Sequence, residues 1–296
     1  MHRPNSLCLL PFAAALLVAS AALPARAQRL RLIQFQSDTV MAHVTSTAIV
    51  GRTEIILVDA LYHRTDAERE ADSLVKLGKR LKAIVVTHPH EDHYFGAAAI
   101  AKRFPGVPLY MTRAGADDFR RTSQGFLDQL RHSTPAELPD SLMQPTVLTS
   151  MTLTVDGERI EIIPDLQGDV HTTSNSLVWI PSLRTVIAGD IVFNGIHAWA
   201  GTSDPTTRAH WRKSIARIAQ LKPKVVIAGH KAPSAADAPD VLRAMDNYLA
   251  DFDAAVAGSS DPAALVARMK AKYPTYEGLG LLRGSARMVA GQLPKR

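Results

Sequence analysis

From residue 28 onward, short apolar runs of strand character alternate with longer stretches of helical spacing. Gln28 to Val58 is rich in Val, Ile and Thr and predicts strands, the last ending in Asp59. Arg64 to Leu81 repeats Ala67, Ala71, Leu74 and Val75 on one face, the period of a helix. A buried-type strand follows over Ala83 to Thr87, then a helix over Ala97 to Phe104 closed by Pro105-Gly106, a strand over Val107 to Met111 and a helix over Ala114 to Leu130. The second half repeats the alternation. Two strands flank Asp156-Gly157, a strong hairpin signal, and two more flank Pro181-Ser182. Helices are predicted over Thr207 to Leu221, Asp240 to Val256 and Pro262 to Lys272, with a strand over Lys224 to Ala228. Strands and helices interleave in both halves, so the fold class is α/β (α+β) with mixed sheets. No linker interrupts the pattern. One domain is expected over 28–296, with a helical C-terminal extension from about residue 232.

Four of the apolar runs end in residues able to bind or support a metal: Asp59, His88, Asp190 and His230. Sites in layered folds collect where loops leave the sheet, so four such endings predict one shared rim.

The N-terminus breaks the pattern. Arg3 precedes an apolar run from Leu7 to Leu23 that ends in Ala25-Arg26-Ala27, the composition of a cleavable signal peptide over residues 1–27. The run is short for a bilayer span and Pro11 interrupts it. Cleavage after Ala27 and export to the periplasm or medium are expected, with no stable membrane anchor afterwards. The single cysteine, Cys8, lies in that segment, so the mature chain has neither disulfide nor thiolate ligand. Removing Arg3 and Arg26 takes the formal net charge from +6 to +4. No basic cluster interleaves with aromatics, which disfavours nucleic acid and leaves a small molecule as the expected partner. Nothing in the chain specifies an oligomeric state.

The chemistry concentrates in Thr87-His88-Pro89-His90-Glu91-Asp92-His93. Side chains two apart in extended chain share a face, so His88 and His90 can grip one metal, while Asp92 and His93 lie past the turn and face a neighbouring position. Imidazole and carboxylate suit zinc, and catalytic zinc keeps a position open for water.

This His-x-His-x-Asp-His pattern after an apolar strand resembles the signature of the metallo-β-lactamase superfamily. Gly168 to Thr172 resembles the family's third-histidine segment, Thr185 to Asp190 the strand delivering a bridging aspartate, and Val225 to His230 the strand delivering the last histidine. Ile55 to Asp59 resembles the early strand whose aspartate supports the site, and the resemblance runs from about Thr39 to Lys231. It implies a four-layer αββα sandwich and two Zn²⁺ per chain, other divalent metals being compatible with the donors. By the same resemblance His88, His90 and His171 hold the first metal, Asp92, His93 and His230 the second, and Asp190 bridges them. Asp92 would also orient the attacking water as the catalytic residue.

The branch of the family is narrowed by two positions. His90 stands where flavodiiron oxygen reductases carry glutamate. Asp190 is typical of lactonases, thioesterases and phosphodiesterases rather than of β-lactamases proper. An ester, lactone or thioester carbonyl is the expected target. β-Lactam hydrolysis is the leading alternative, because His171 to Pro181 resembles the matching stretch of true β-lactamases, where an asparagine near Asn175 helps polarise a carbonyl. Mononuclear iron persulfide dioxygenase chemistry is a further alternative, opposed by the full second-metal set. Tyr94, Asn175, His197 and Trp199 are candidate substrate contacts; a packed Tyr94, a turn role for Asn175 and a supporting His197 remain open.

Overall fold

A computed structural model describes residues 30–131 and 135–293; the expected signal segment lies outside them. Strands β1 (Arg31–Gln36), β2 (Thr45–Val50), β3 (Glu54–Val58), β4 (Arg80–Val85), β5 (Leu109–Met111) and β6 (Thr146–Val147) form one sheet in chain order. The first three are antiparallel neighbours, and β3 to β6 run parallel. Parallel neighbours need crossovers, supplied by α1 (Arg64–Val75) between β3 and β4 and by α2 (Ala97–Arg103) between β4 and β5. Helix α3 (Arg113–Leu130) follows β5.

The second sheet contains β7 (Thr152–Val155), β8 (Glu158–Leu166), β9 (Asn175–Ile180), β10 (Thr185–Ile187) and, beyond a short β11 (Phe193–Asn194), the strand β12 (Val225–Ile227). Its order is β12-β10-β9-β8-β7, antiparallel except for the β10–β12 pair. A third, two-stranded ladder pairs β11 with β13 (His230–Lys231). Helix α4 (Pro205–Gln220) joins the two halves of this unit, and α5 (Val241–Gly258), α6 (Pro262–Lys272) and α7 (Leu279–Met288) complete it. No helix among the described residues is long and apolar enough to cross a membrane.

Three apolar layers follow from the alternation of side chains along these strands. Ile56 and Val58 of β3 and Val85 of β4 face Ile160, Val178, Ile187 and Ile227 of the second sheet. Ile55 and Leu57, on the other face of β3, meet Ala71 and Leu74 of α1, Ile100 of α2 and Phe119 of α3. Leu177, Trp179 and Val186 meet Trp211 and Ile215 of α4, Leu249 and Phe252 of α5, and Leu282 of α7. Helix, sheet, sheet, helix is therefore the order of layers, as the sequence resemblance implies. Burial on both faces explains why β3 and the later halves of β4 and β9 read as continuous apolar runs.

The elements differ from expectation mainly at their ends. Helix α1 stops at Val75, six residues before Leu81, because Gly78 takes a left-handed turn (φ 64°) and β4 already begins at Arg80. Helix α4 begins earlier than expected, at Pro205. Asp204 caps it, accepting from the Thr207 amide at 2.8 Å while Thr207 Oγ1 accepts from the Asp204 amide at 2.8 Å. Asp156 (φ 48°) and Gly157 (φ 86°) form the expected two-residue hairpin turn.

One buried acid in α1 has a measurable consequence. Glu70 is 1% exposed and its Oε1 accepts from Ser46 Oγ at 2.5 Å. Burial pushes its carboxyl up to about 8, with the Ser46 bond opposing and Asp59 adding to the rise. Between about pH 4.3 and about pH 8 the native protein therefore holds a proton that the unfolded chain releases. Stability falls as pH rises through that window. Glu70→Gln is expected to remove the fall, making the variant the more stable protein at pH 8 by roughly 1 kcal/mol or more. Urea unfolding of both proteins at pH 5 and pH 8 checks this; parallel pH dependences would contradict it.

Candidate metal centre

The site is built at the rim where β3, β4, β10 and β12 end. Asp59, just past β3, adopts a left-handed backbone (φ 62°) that turns its buried carboxylate back across β4. Its Oδ1 accepts from the Thr87 amide at 2.8 Å, and its Oδ2 accepts from His93 Nδ1 at 3.0 Å and from Thr87 Oγ1 at 3.0 Å. Thr87 Oγ1, with its proton committed to Asp59, accepts from His88 Nδ1 at 3.1 Å. His230 Nδ1 donates to the carbonyl of Ala42 at 2.9 Å, and its ring stacks on Phe193 at 5.0 Å. These bonds commit Nδ1 of His88, His93 and His230 to the scaffold, leaving Nε2 of each as a lone-pair donor.

Those lone pairs converge. His93 Nε2 is 3.1 Å from Asp190 Oδ1, and His230 Nε2 is 3.2 Å from both Asp190 Oδ2 and Asp92 Oδ2. His88 Nε2 lies 3.9 Å from Asp190 Oδ2 and 3.6 Å from Asp169 Oδ1, and His90 Nδ1 lies 2.7 Å from Asp169 Oδ2. Two sets of donors result, each gathered within 4.8 Å: His88, His90, Asp169 and Asp190; and Asp92, His93 and His230. Asp190 lies between the sets. Gly229 keeps it there, since a Cβ at that position would fall 2.0 Å from Asp190 Oδ1.

The donor atoms fit divalent metal. His88 Nε2, His93 Nε2, Asp190 Oδ1 and both oxygens of Asp169 are buried without a hydrogen-bond partner. Buried polar atoms are almost always satisfied, so several orphans aimed at one another point to a ligand that satisfies them together. The electrostatics agree. Burial works against a charged ring at His230, yet Asp190 and Asp92 beside it hold it up at about 10. Burial likewise opposes charge on His90, while Asp169 holds it at about 9. Burial pushes the Asp190 carboxyl up, but His230 and His93 overcome this and leave it well below the usual carboxylate range. Protons on imidazoles balance three crowded carboxylates here, a balance that metal cations can replace.

Of the seven residues expected as ligands, the structure brings together His88, His90, Asp92, His93, Asp190 and His230. It does not bring His171. That imidazole is exposed, with Nδ1 3.3 Å from the Thr202 carbonyl, and Asp169, two residues earlier, projects inward instead. The turn between β8 and β9 has no periodicity from which this direction could be read.

Above the donors is a cleft of about 460 Å³. Its floor carries His90, Asp92, Asp169, Asp190 and His230, and its walls carry Met41, Phe126, Trp199, Leu281 and Met288 together with Glu91, Gln129 and Thr202. Trp199 thus lies where a substrate contact was expected. The other three candidates do not line the cleft. Tyr94 is 2% exposed and packs edge-on against Phe95 and Phe119. Asn175 is fully buried beneath Gly168, whose added Cβ would sit 2.7 Å from the amide carbon. His197 is a core histidine, its Nδ1 3.1 Å from the Tyr248 hydroxyl, and burial lowers its pKa to about 4. The α3 wall residue Phe126 has no signal in the sequence, because nothing in a helix's own pattern shows which distant site it covers.

Comparison with known proteins agrees with this architecture. The fold is similar to that of a metallo-beta-lactamase family protein from Thermus thermophilus, with TM-score 0.60 and 20% identity over 87% of this chain and 93% of that one. It is also similar to the metallo-beta-lactamase from Pontibacter korlensis, with TM-score 0.53 and 21% identity over 75% of this chain and 100% of that one. The FIM-1 metallo-beta-lactamase from Pseudomonas aeruginosa, in its mono-zinc form, gives TM-score 0.53 and 19% identity over 74% and 90% of the two chains. The family model of the metallo-beta-lactamase superfamily matches residues 41–230, a span from the loop that orients His230 to His230 itself. The chain belongs to the metallo-beta-lactamase superfamily.

Proposed function

We propose that this protein is an exported hydrolase that cleaves an uncharged ester, lactone or thioester, with two divalent metal ions held by its histidine and aspartate donors. The observation that carries the reading is the set of buried, partnerless donor atoms beneath an open cleft. Zinc is the expected metal, given imidazole and carboxylate donors and no thiolate in the mature chain. When bound, the ions supply Lewis-acid polarisation of a carbonyl and a water acidified toward neutrality.

The protein's own residues do the rest. Asp190 sets the spacing of the two positions through its contacts with His93 and His230. Asp59 and Thr87 hold His93 and His88 in the orientation that presents Nε2. Asp92 stands on the cleft floor with its side chain 16% exposed, so it can orient the attacking water and accept its proton. The apolar walls offer contact area to the acyl side of the substrate.

The uncharged substrate class follows from the walls. Among the described residues lining the cleft, none is lysine or arginine. Lys231, next to His230, is committed to Asp237 at 2.9 Å and Gln34 at 3.1 Å. A β-lactam presents a carboxylate, and no free cationic side chain awaits it here. The buried Asn175 likewise offers no second contact to a lactam carbonyl. Export rests on the N-terminal segment. It is tested by comparing the N-terminus of the secreted protein with Gln28.

A panel of uncharged esters, lactones and thioesters beside nitrocefin tests the reading with zinc-loaded protein. Turnover of the former exceeding that of nitrocefin is expected, and the reverse would make β-lactam opening the function. On the same reading Trp199→Ala raises KM about tenfold for a substrate with an apolar acyl group, with kcat little changed, because it removes ground-state contact area. An unchanged KM would remove Trp199 from the substrate wall.

A further inference from the structure

We propose that Asp169, rather than His171, completes the first metal position. The inference rests on the metallohydrolase reading and concerns which side chain serves it. Asp169 is wholly inaccessible to solvent, and what faces its carboxylate is the two imidazoles of His88 and His90 rather than a backbone or hydroxyl donor. A carboxylate buried in this way needs a cation. Its oxygens lie 2.7 Å from His90 Nδ1 and 3.6 Å from His88 Nε2, the two nitrogens that face the same space.

The surrounding backbone holds this choice in place. Thr202 Oγ1 donates to the Asp169 carbonyl, the Gln167 amide donates to Ser214 Oγ at 3.0 Å, and the Gln167 side-chain amide donates to the carbonyls of Gly168 and Val170. Residues 167 to 170 are thus tied both to themselves and to α4 and the segment before it. His171 leaves this tied turn pointing outward, toward Thr202. Bringing its ring inward would require displacing the Asp169 carboxylate from the space it fills.

The consequence is a centre with two chemically equivalent halves. Each holds two imidazoles and one terminal carboxylate (His88, His90 and Asp169; His93, His230 and Asp92), with Asp190 between them. Three carboxylates neutralise more of the charge of two divalent ions than two would. The added oxygen donor also widens the range of metals the first position accepts toward manganese and iron(II).

The test uses the full mature chain loaded with zinc or cobalt(II), with metal content measured after gel filtration and by titration. Asp169→Asn is expected to weaken one equivalent by at least about tenfold, the scale on which even outer partners of ligands act. His171→Ala is expected to keep two equivalents with unchanged affinity. A mutation-free measurement guards against misfolding: the proton spectrum of the cobalt protein should show four shifted, exchangeable imidazole N–H resonances, from His88, His90, His93 and His230. A fifth resonance, loss of an equivalent in His171→Ala, or full retention of both in Asp169→Asn would overturn the assignment while leaving the hydrolase reading intact. Wild-type protein that binds no metal would overturn both.

Discussion

Asp190→Ala is expected to lose both metals and with them more than about a hundredfold in kcat/KM. The magnitude follows from position. Removing residues that merely orient metal ligands typically costs about 10- to 100-fold in affinity or activity. Asp190 approaches three of the four gathered histidines, at 3.9 Å from His88, 3.1 Å from His93 and 3.2 Å from His230. Deleting it removes a donor from both positions, takes from His93 its nearest facing carboxylate and leaves His230 facing Asp92 alone. Metal content and hydrolysis should fall together. A variant that holds two equivalents of zinc would show that Asp190 is only a neighbour of the centre.

Asp92→Asn separates proton transfer from metal binding. The substitution keeps the shape of the side chain and one oxygen toward His230, but it removes the group able to accept a proton from water. General-base assistance is worth about 10²- to 10⁴-fold, so kcat is expected to fall by that amount with KM nearly unchanged. Because Asp92 is also a donor to the second position, the rate is compared at zinc concentrations that restore two equivalents, where the loss in kcat should remain. If kcat is retained, Asp92 acts only as a ligand. If zinc is lost in proportion to rate, its catalytic role is not separable from holding metal.

Much of this centre is legible in the amino-acid sequence, and the reason is local. His88, His90, Asp92 and His93 lie within six residues at the end of one strand, so short-range geometry alone gathers them. Asp59, Asp190 and His230 follow apolar strands that must enter the sheets, and strand ends of a layered fold meet at one rim. The layer order is legible for the same reason, because two-sided burial writes apolar runs into β3 and the later halves of β4 and β9.

What escapes the sequence depends on direction or distance. Asp169 and His171 are separated by one residue in a turn without period, and the hydrogen bonds of Gln167 and Thr202 decide which of them points inward. Helix α7 is hard to see in the sequence, because Gly278 and Gly280 both disfavour helix. The structure uses Gly278 as a left-handed entry (φ 73°) and continues the helix to place Leu281 and Met288 over the cleft. His197 and Asn175 look functional because of their neighbours in the chain, yet both are buried, one on Tyr248 and the other beneath Gly168.

Histidine and aspartate donors from four segments of this chain form the proposed two-metal hydrolytic centre. Metal titration of the apo protein tests it most directly, with uncharged ester or lactone hydrolysis followed in the same samples. Two tight equivalents per chain are expected, with hydrolysis appearing as they bind and disappearing on chelation. Protein that binds no metal, or whose hydrolysis is indifferent to chelation, would contradict the account.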